Sequence, residues 1–119
     1  MLSRTFGFEI RFVNVDNDYD IDWDDFAEKY DEKVKVVSLS HISNVTGKII
    51  DVAKVKTLLR EDTFFIIDGS QSVPHLPVDV RGIGCDAMVM TAHKMMGHTG
   101  LGMLYLKHQW IKELNPLIL

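Results

Sequence analysis

The spacing of hydrophobic and polar positions changes along this chain, and each change marks an element. Residues 8 to 15, FEIRFVNV, place Phe8, Ile10, Phe12 and Val13 among polar neighbours, an alternation that predicts a strand. In DIDWDDFAEKY the period lengthens. Trp23, Phe26, Ala27 and Tyr30 recur at i, i+3, i+4 and i+7, which predicts an amphipathic helix with Asp20 or Asp22 as its N-cap. VKVVSLSH, residues 34–41, is short, β-branched and largely apolar, as a strand buried on both faces of a parallel sheet would be. Asp51 opens a second predicted helix, with Val52, Val55, Leu58 and Leu59 as its buried stripe. TFFIID predicts another buried strand, ending abruptly at Asp68, Gly69 and Ser70. After a polar, proline-punctuated segment, DAMVM predicts a strand ending at Thr91, GMLYLK one more, and a short helix closes the series around Trp110 to Leu114.

Strands alternating with helices predict an α/β fold, three-layered, around a mainly parallel sheet. Such folds bind ligands beyond the carboxyl ends of their strands. Three polar clusters fall at such ends: SHISN after the strand at 34–41, DGSQS after TFFIID, and TAHK after DAMVM. If the strands are neighbours, the clusters converge on one crevice. No internal repeat, low-complexity segment or domain linker interrupts residues 1–119, and that length suits a single modest core.

Composition narrows the function classes. The chain is 46% hydrophobic and 25% charged with a formal net charge of −4, and it lacks the basic stripe of a nucleic-acid surface. The acidic stretch from Asp16 to Asp25 reads as a solvated turn and helix start. No apolar run approaches membrane-spanning length, and Arg4, Glu9 and Arg11 stand where a signal peptide needs apolar residues. One cysteine, Cys85, rules out an intramolecular disulfide and suits a reducing compartment, so a cytoplasmic protein is expected, with no nucleic-acid or membrane partner.

The clusters carry specific chemistry. A carboxylate at Asp68 is costly to bury unless it meets a cation or hydrogen-bond donors. A lysine such as Lys94, held in a partly desolvated crevice, is easier to deprotonate, and a neutral amine can form a Schiff base with an aldehyde. Thr91 and His93 offer donors that suit a phosphate. An aldehyde, a protonatable ring nitrogen and a phosphate together describe pyridoxal 5'-phosphate. On spacing alone, a helix cap after the strand is the favoured reading of Asp68.

The stretch DGSQSVPHLPVDVRGIGCDAMVMTAHKMMGHTGLGMLYLK closely resembles the cofactor-binding core of the class V aminotransferases, and within them the cysteine desulfurases of the selenocysteine lyase type. The preceding VSLSHISNVTGKIIDVAKV resembles the segment just upstream in the same family. The resemblance implies the large domain of the aspartate aminotransferase-like, pyridoxal phosphate-dependent fold type I. It implies that Lys94 is the Schiff-base lysine, that Asp68 pairs with the pyridinium nitrogen, and that Gln71 contacts the phenolic oxygen. It further implies that Thr91 and His93 hold the phosphate and that Asn44 lies near the ring and the substrate carboxylate. The implied substrate is a small amino acid, L-cysteine or a relative, and the implied assembly a homodimer.

Other residues read more simply. His41 is expected to be structural, because the family's stacking histidine lies upstream of this segment. His75 and His98 read as turn or surface residues. His93 and His98, five apart and without a third ligand, do not predict a metal site. Met88, Met90, Met95 and Met96 read as packing or interface groups. Gly97, Gly100 and Gly102 read as a turn into the next strand, where glycine permits unusual backbone angles. Members of the family run to roughly three times this length, beyond a single core of ordinary size. The chain is therefore expected to be a partial large domain, lacking an N-terminal segment and the small domain that carries the substrate-binding arginine and nucleophilic cysteine. Cys85 does not replace that cysteine. Little or no desulfurase activity is expected of the chain alone, and a non-catalytic binding or assembly module derived from such an enzyme is the alternative. A nucleotide-binding domain is ranked below both, because neither a phosphate-loop lysine motif nor G-x-G-x-x-G follows the first predicted strand.

Overall fold

A computed structural model of the chain describes residues 7–113. The chain divides into two compact units, Met1–Lys33 and Val34–Leu119.

In the first unit, helix α1 spans Trp23–Lys29. Of the two possible caps the structure uses Asp22, whose carboxylate accepts from the Asp25 amide at 3.0 Å. Phe26 is its buried residue, stacked on Tyr30 with ring centroids 5.4 Å apart. The predicted strand at 8–15 does not form. Its only pairing among the described residues is an isolated bridge between Val15 and Ile21, and Phe8, Ile10 and Phe12 are exposed. Alternation favours an extended backbone, but a strand also needs a neighbour for its amides and carbonyls. Side chains hold this segment instead: Arg11 donates to the Lys29 carbonyl and Asp31, and Lys29 donates to the Phe12 carbonyl.

The second unit is built on a four-stranded sheet, ordered β1 (Val36–Ser40), β2 (Phe64–Asp68), β3 (Ala87–Thr91) and β4 (Gly102–Leu106). The first three strands run parallel and β4 returns antiparallel to β3, so the sheet is mainly parallel, as expected. Between them lie α2 (Val52–Leu58), α3 (Val80–Ile83) and a 3-10 turn (Ala92–Met95); α4 (His108–Ile111) follows β4. Asp51 caps α2 by accepting from the Lys54 amide at 2.9 Å. Only Val52 and Val55 of the expected stripe are buried, and Leu58 is exposed. The closing helix falls three residues short of the Leu114 end predicted for it, and Leu114 itself lies outside the described residues. The four-residue α3 is too short to show a helical period, although Asp79 caps it and Gly84, at φ 75°, ends it in the left-handed conformation that favours glycine.

Strand register divides the sheet into two unlike faces. Val37, Phe65 and Leu39, Ile67 are paired across β1 and β2, and Ile67 is opposite Met88, so these side chains share one face. Phe65, Ile67 and Met88 on that face are fully buried, as are Val55 and Cys85 nearby in the core, and each large side chain contributes about 1.5–3 kcal/mol by leaving water. The opposite face carries Ser38, Ser40, Ile66, Asp68, Val89 and Thr91. Neither β1 nor β2 is buried on both faces as predicted: β1 is the edge of the described sheet, its Val36 is 58% exposed, and Phe64 and Ile66 are half-buried.

Candidate active site

The three polar clusters lie at the ends of adjacent strands, because β1, β2 and β3 are neighbours with Ser40, Asp68 and Val89 in one register. Thr91 is two residues beyond Val89, about 7 Å further along the same face. Asp68 and Thr91 therefore stand at adjacent ends on one face of the sheet, and the chain beyond Thr91 turns immediately into the 3-10 segment that carries His93 and Lys94.

Asp68 is half-buried, and its main chain is fixed from both sides. The His41 amide donates to its carbonyl at 3.0 Å, and the next amide, Gly69, donates to the Val89 carbonyl at 2.8 Å. Its Oδ1 accepts from the Ser70 amide at 2.9 Å, so the carboxylate caps a turn after β2, where spacing alone favoured a helix start. Its Oδ2 has no hydrogen-bond partner among the described residues. The turn-capping and ligand-binding readings are thus compatible, one oxygen being available for each. Gly69 is where a side chain has no room: a Cβ there would lie 2.8 Å from Met88 Sδ.

Gln71 is half-buried in the turn that follows, and its carbonyl oxygen meets His75 Nδ1 at 2.6 Å, which accounts for His75 as an exposed turn residue. Thr91 Oγ1 and His93 Nδ1 are 2.7 Å apart. Lys94 is half-buried and makes no ion pair or hydrogen bond among the described residues. Most lysines of an ordinary domain are fully solvated or paired, so a half-buried lysine without a partner among the described residues, on the same turn as Thr91 and His93, is a distinctive feature.

Asn44 is exposed at the tip of a small loop after β1, closed by the Ile42–Ile49 bridge and by Ser43 Oγ, which accepts from the Val45 and Thr46 amides. His41 is buried as a structural residue would be, its Nδ1 has no hydrogen-bond partner among the described residues, and burial pushes its imidazole pKa down. It borders an open groove of about 620 Å³ lined by Ile49, Ile50, Leu76, Pro77 and Ile83 among others, and none of Asp68, Gln71, Thr91, His93 or Lys94 lines it.

Beyond Lys94, the glycine-rich turn works differently from expectation. Gly100, at φ 81°, does need a left-handed backbone, but Gly97 is required by space, since a Cβ would sit 3.0 Å from the Ala92 carbonyl oxygen. Gly102 has neither constraint. A non-glycine residue, the fully exposed Met96, takes the other left-handed position at φ 59°. Met88 packs in the core as expected.

The donor set suits pyridoxal phosphate chemically: an unpartnered amine for an aldehyde, a carboxylate oxygen for a protonated ring nitrogen, and a hydroxyl–imidazole pair for a phosphate. The residues that sequence reasoning missed are the Ser70 amide, which fixes the Asp68 carboxylate, and Ser43. Both make hydrogen bonds two or three residues apart, a pattern for which the D-G-S and S-N-V-T strings were the available signal. Among the described residues no group of acidic, cysteine and histidine side chains could hold a metal ion, and no helix is long and apolar enough to cross a membrane.

Comparison with known proteins gives the family and the fold. A cysteine desulfurase from Haloferax volcanii is 36% identical over 118 residues, 98% of this chain and 28% of the relative. A probable cysteine desulfurase of Mycobacterium leprae is 38% identical, again over 98% of this chain and 28% of the relative. The chain thus spans less than a third of the length of the curated relatives it matches. Among solved structures, an apo cysteine desulfurase from Thermococcus onnurineus superposes with a TM-score of 0.87 at 29% identity, covering 99% of this chain and 30% of that one. The cysteine desulfurase CsdA of Escherichia coli superposes with a TM-score of 0.91 at 26% identity over 98% of this chain and 30% of that one. The sheet is thereby that of the pyridoxal phosphate-dependent fold type I, and the family model for class-V aminotransferases matches residues 1–119 from end to end: the chain belongs to the aminotransferase class-V family.

Proposed function

We propose that these residues form the pyridoxal phosphate-binding core of a cysteine desulfurase-like enzyme, one that mobilises sulfur from L-cysteine or a closely related amino acid. The observation that carries this reading is the half-buried Lys94, without a partner among the described residues and one turn beyond a strand whose neighbour ends in Asp68.

Each residue has a task in that reading. The Lys94 amine would hold the cofactor through its aldehyde carbon. Asp68 Oδ2 would keep a proton on the ring nitrogen, while the Ser70 amide on Oδ1 keeps the carboxylate from rotating away. Gln71 would donate its amide to the phenolic oxygen, Thr91 and His93 would hold the phosphate, and Asn44 would meet the incoming amino acid's carboxylate. When bound, the cofactor supplies an electron sink for bonds broken at the substrate's α-carbon. The nucleophile that accepts sulfur is not Cys85, which is fully buried. A cytoplasmic homodimer belongs to the same proposal; exposed apolar residues such as Val36 and Leu104 on the site's face of the sheet support a protein cover over it.

The test is to incubate the chain with pyridoxal phosphate, reduce with borohydride and map the adduct by mass spectrometry. Modification at Lys94, lost in Lys94→Ala and weakened in Asp68→Asn, is the expected result. Labelling spread over surface lysines with Lys94 unmodified would overturn the proposal.

A further inference from the structure

We infer that His75 is a positioning residue that acts through Gln71: its Nδ1–H donates to the Gln71 main-chain carbonyl, replaces a main-chain donor that the turn after β2 does not supply, and so sets the direction of the Gln71 side chain. That Gln71 meets a cofactor oxygen rests on the proposed function above; the hold of His75 on Gln71 follows from the chain's own geometry.

Residues 69–76 wind tightly without closing a regular helix. The Gly69 carbonyl accepts from the Val73 amide at 3.0 Å, the i+4 bond of a helical turn. The next two carbonyls lose that partner. Ser70 would need an amide at Pro74, which has none. Gln71 would need the His75 amide, but this donates to the Ser72 carbonyl at 3.0 Å, on the same oxygen that accepts from the Leu76 amide at 2.7 Å. The imidazole fills the gap, with Nδ1 2.6 Å from the Gln71 carbonyl oxygen. A carbonyl has no proton to give, so the bond requires one on Nδ1. The ring orientation is set as firmly: a ring carbon in place of Nδ1 would fall well inside the about 3.3–3.6 Å of even a weak C–H···O contact. Neutral His75 is therefore the tautomer protonated at Nδ1, with a bare Nε2.

The turn is anchored on either side of Gln71. Before it, the Gly69 amide donates to the Val89 carbonyl at 2.8 Å and the Ser70 amide holds Asp68 Oδ1. After it comes Ser72, which is fully buried. The peptide between Gln71 and Ser72 is left to His75, and a tilt of its carbonyl changes ψ at Gln71 and moves the side chain with it. An amide N–H delivered to one oxygen depends on direction, so the group that fixes this carbonyl controls whether Gln71 can do its task. His75 acts from outside the turn, being itself exposed. The hold does not depend on the charge of the ring, because the cation also carries a proton on Nδ1.

The experiment is NMR on the full chain without cofactor, reading the histidine nitrogen-15 signals at the alkaline plateau where the rings are neutral, and the carbonyl carbon-13 and side-chain amide signals of Gln71. The expected result is a pyrrole-type Nδ1 and a pyridine-type Nε2 for His75. Both Gln71 signals should shift in His75→Phe and return in His75→Asn, whose amide nitrogen can stand where Nδ1 stood. A wild-type ring protonated at Nε2, a tautomer mixture, Gln71 signals unchanged in His75→Phe, or no return in His75→Asn would each overturn the inference. The wild-type spectrum decides even if a variant does not fold. Titration with pyridoxal phosphate adds a readout that a merely structural contact would not move. His75→Phe should raise the Kd about three- to tenfold, and this effect should vanish in a Gln71→Ala background. A loss of the same size in that background would overturn the action through Gln71. A chain that binds no pyridoxal phosphate would overturn the proposed function, while the cofactor-free spectra would still decide whether His75 holds Gln71, so the two failures are distinguishable.

Discussion

The indole N–H of Trp110 donates to Asp86 Oδ1 at 3.1 Å, tying the last described helix to a nearly buried carboxylate at the entrance of β3. The same Oδ1 accepts from Lys107 Nζ at 3.0 Å, and Oδ2 accepts from the Phe65 amide at 2.9 Å. One side chain therefore joins the start of β2, the start of β3 and α4. Asp86→Ala would leave a buried amide and an indole without their acceptor and the Lys107 ammonium with only the Gly84 carbonyl, at about 1–3 kcal/mol for each buried group left unsatisfied. The expected loss is about 3 kcal/mol or more in urea denaturation. Trp110→Phe removes one bond but can keep the edge-on contact with Phe64, whose ring centroid is 5.0 Å away, and should cost about 1 kcal/mol.

The same carboxylate sets an acid limit. Burial pushes the Asp86 pKa up, but the hydrogen bonds from Phe65, Lys107 and Trp110 and the Lys107 charge more than reverse this, and the pKa ends below its ordinary value of 3.8. A group whose folded pKa is depressed stabilises the fold above its unfolded pKa, and that contribution is lost as pH falls through the folded value. Stability should therefore decline as pH drops below 3.8. Asp86→Asn should flatten the decline, which separates this carboxylate from Asp25, Asp31 and Asp62, whose pKa values are also lowered but which lie at the surface. Denaturation midpoints measured at a series of pH values check both statements; parallel curves for the two proteins would contradict them.

Two glycines near the site should respond differently to alanine. At Gly69 the new Cβ meets Met88 Sδ at 2.8 Å and Val73 Cγ2 at 3.2 Å, and Met88 is fully buried with little room to retreat. Overpacking of this kind costs about 1–3 kcal/mol. Met88→Ala should recover part of the loss when combined with Gly69→Ala, because it removes the atoms that clash. At Gly100 a Cβ meets nothing within 4 Å, and the cost of about 1 kcal/mol comes only from φ 81°. No core truncation should rescue it. Thermal denaturation of the two single variants and of each combined with Met88→Ala reads out the difference.

These glycine and carboxylate contacts show where sequence reasoning stops. Strands β2, β3 and β4 were legible because each is a dense apolar run with Asp or Gly at one end, and β1 because its run VKVV is β-branched. The candidate site was legible for the same reason: Asp68 and Thr91 mark where apolar runs stop, and Lys94 follows within one turn. At residues 8–15 the alternation signalled an extended backbone correctly, but pairing depends on which segments lie alongside, and that is not a local property. Asp86 was invisible for a related reason. In DAMVM it reads only as the residue before an apolar run, whereas its three side-chain partners come from 21 to 24 residues away. The Thr91–His93 bond lay between: the motif put both residues on one turn, but which atoms meet required coordinates.

Cys85 gives the last prediction. It is the only cysteine of the chain, is fully buried, and has its Sγ 3.9 Å from the Val80 carbonyl oxygen. Burial pushes its thiol pKa up, which keeps the neutral form in place of the nucleophilic thiolate. A disulfide reagent should leave the folded chain unlabelled and react with one thiol per chain once urea exposes it. By the same logic the 119-residue polypeptide alone should release negligible sulfide from L-cysteine even when Lys94 carries cofactor, because no accessible thiol is present to take the sulfur. Cys85→Ala should remove the labelling and leave the borohydride-trapped adduct at Lys94 unchanged. Sulfide release that disappears in Cys85→Ala would instead make Cys85 the acceptor, and would require the core around Val80 and Met88 to open during turnover.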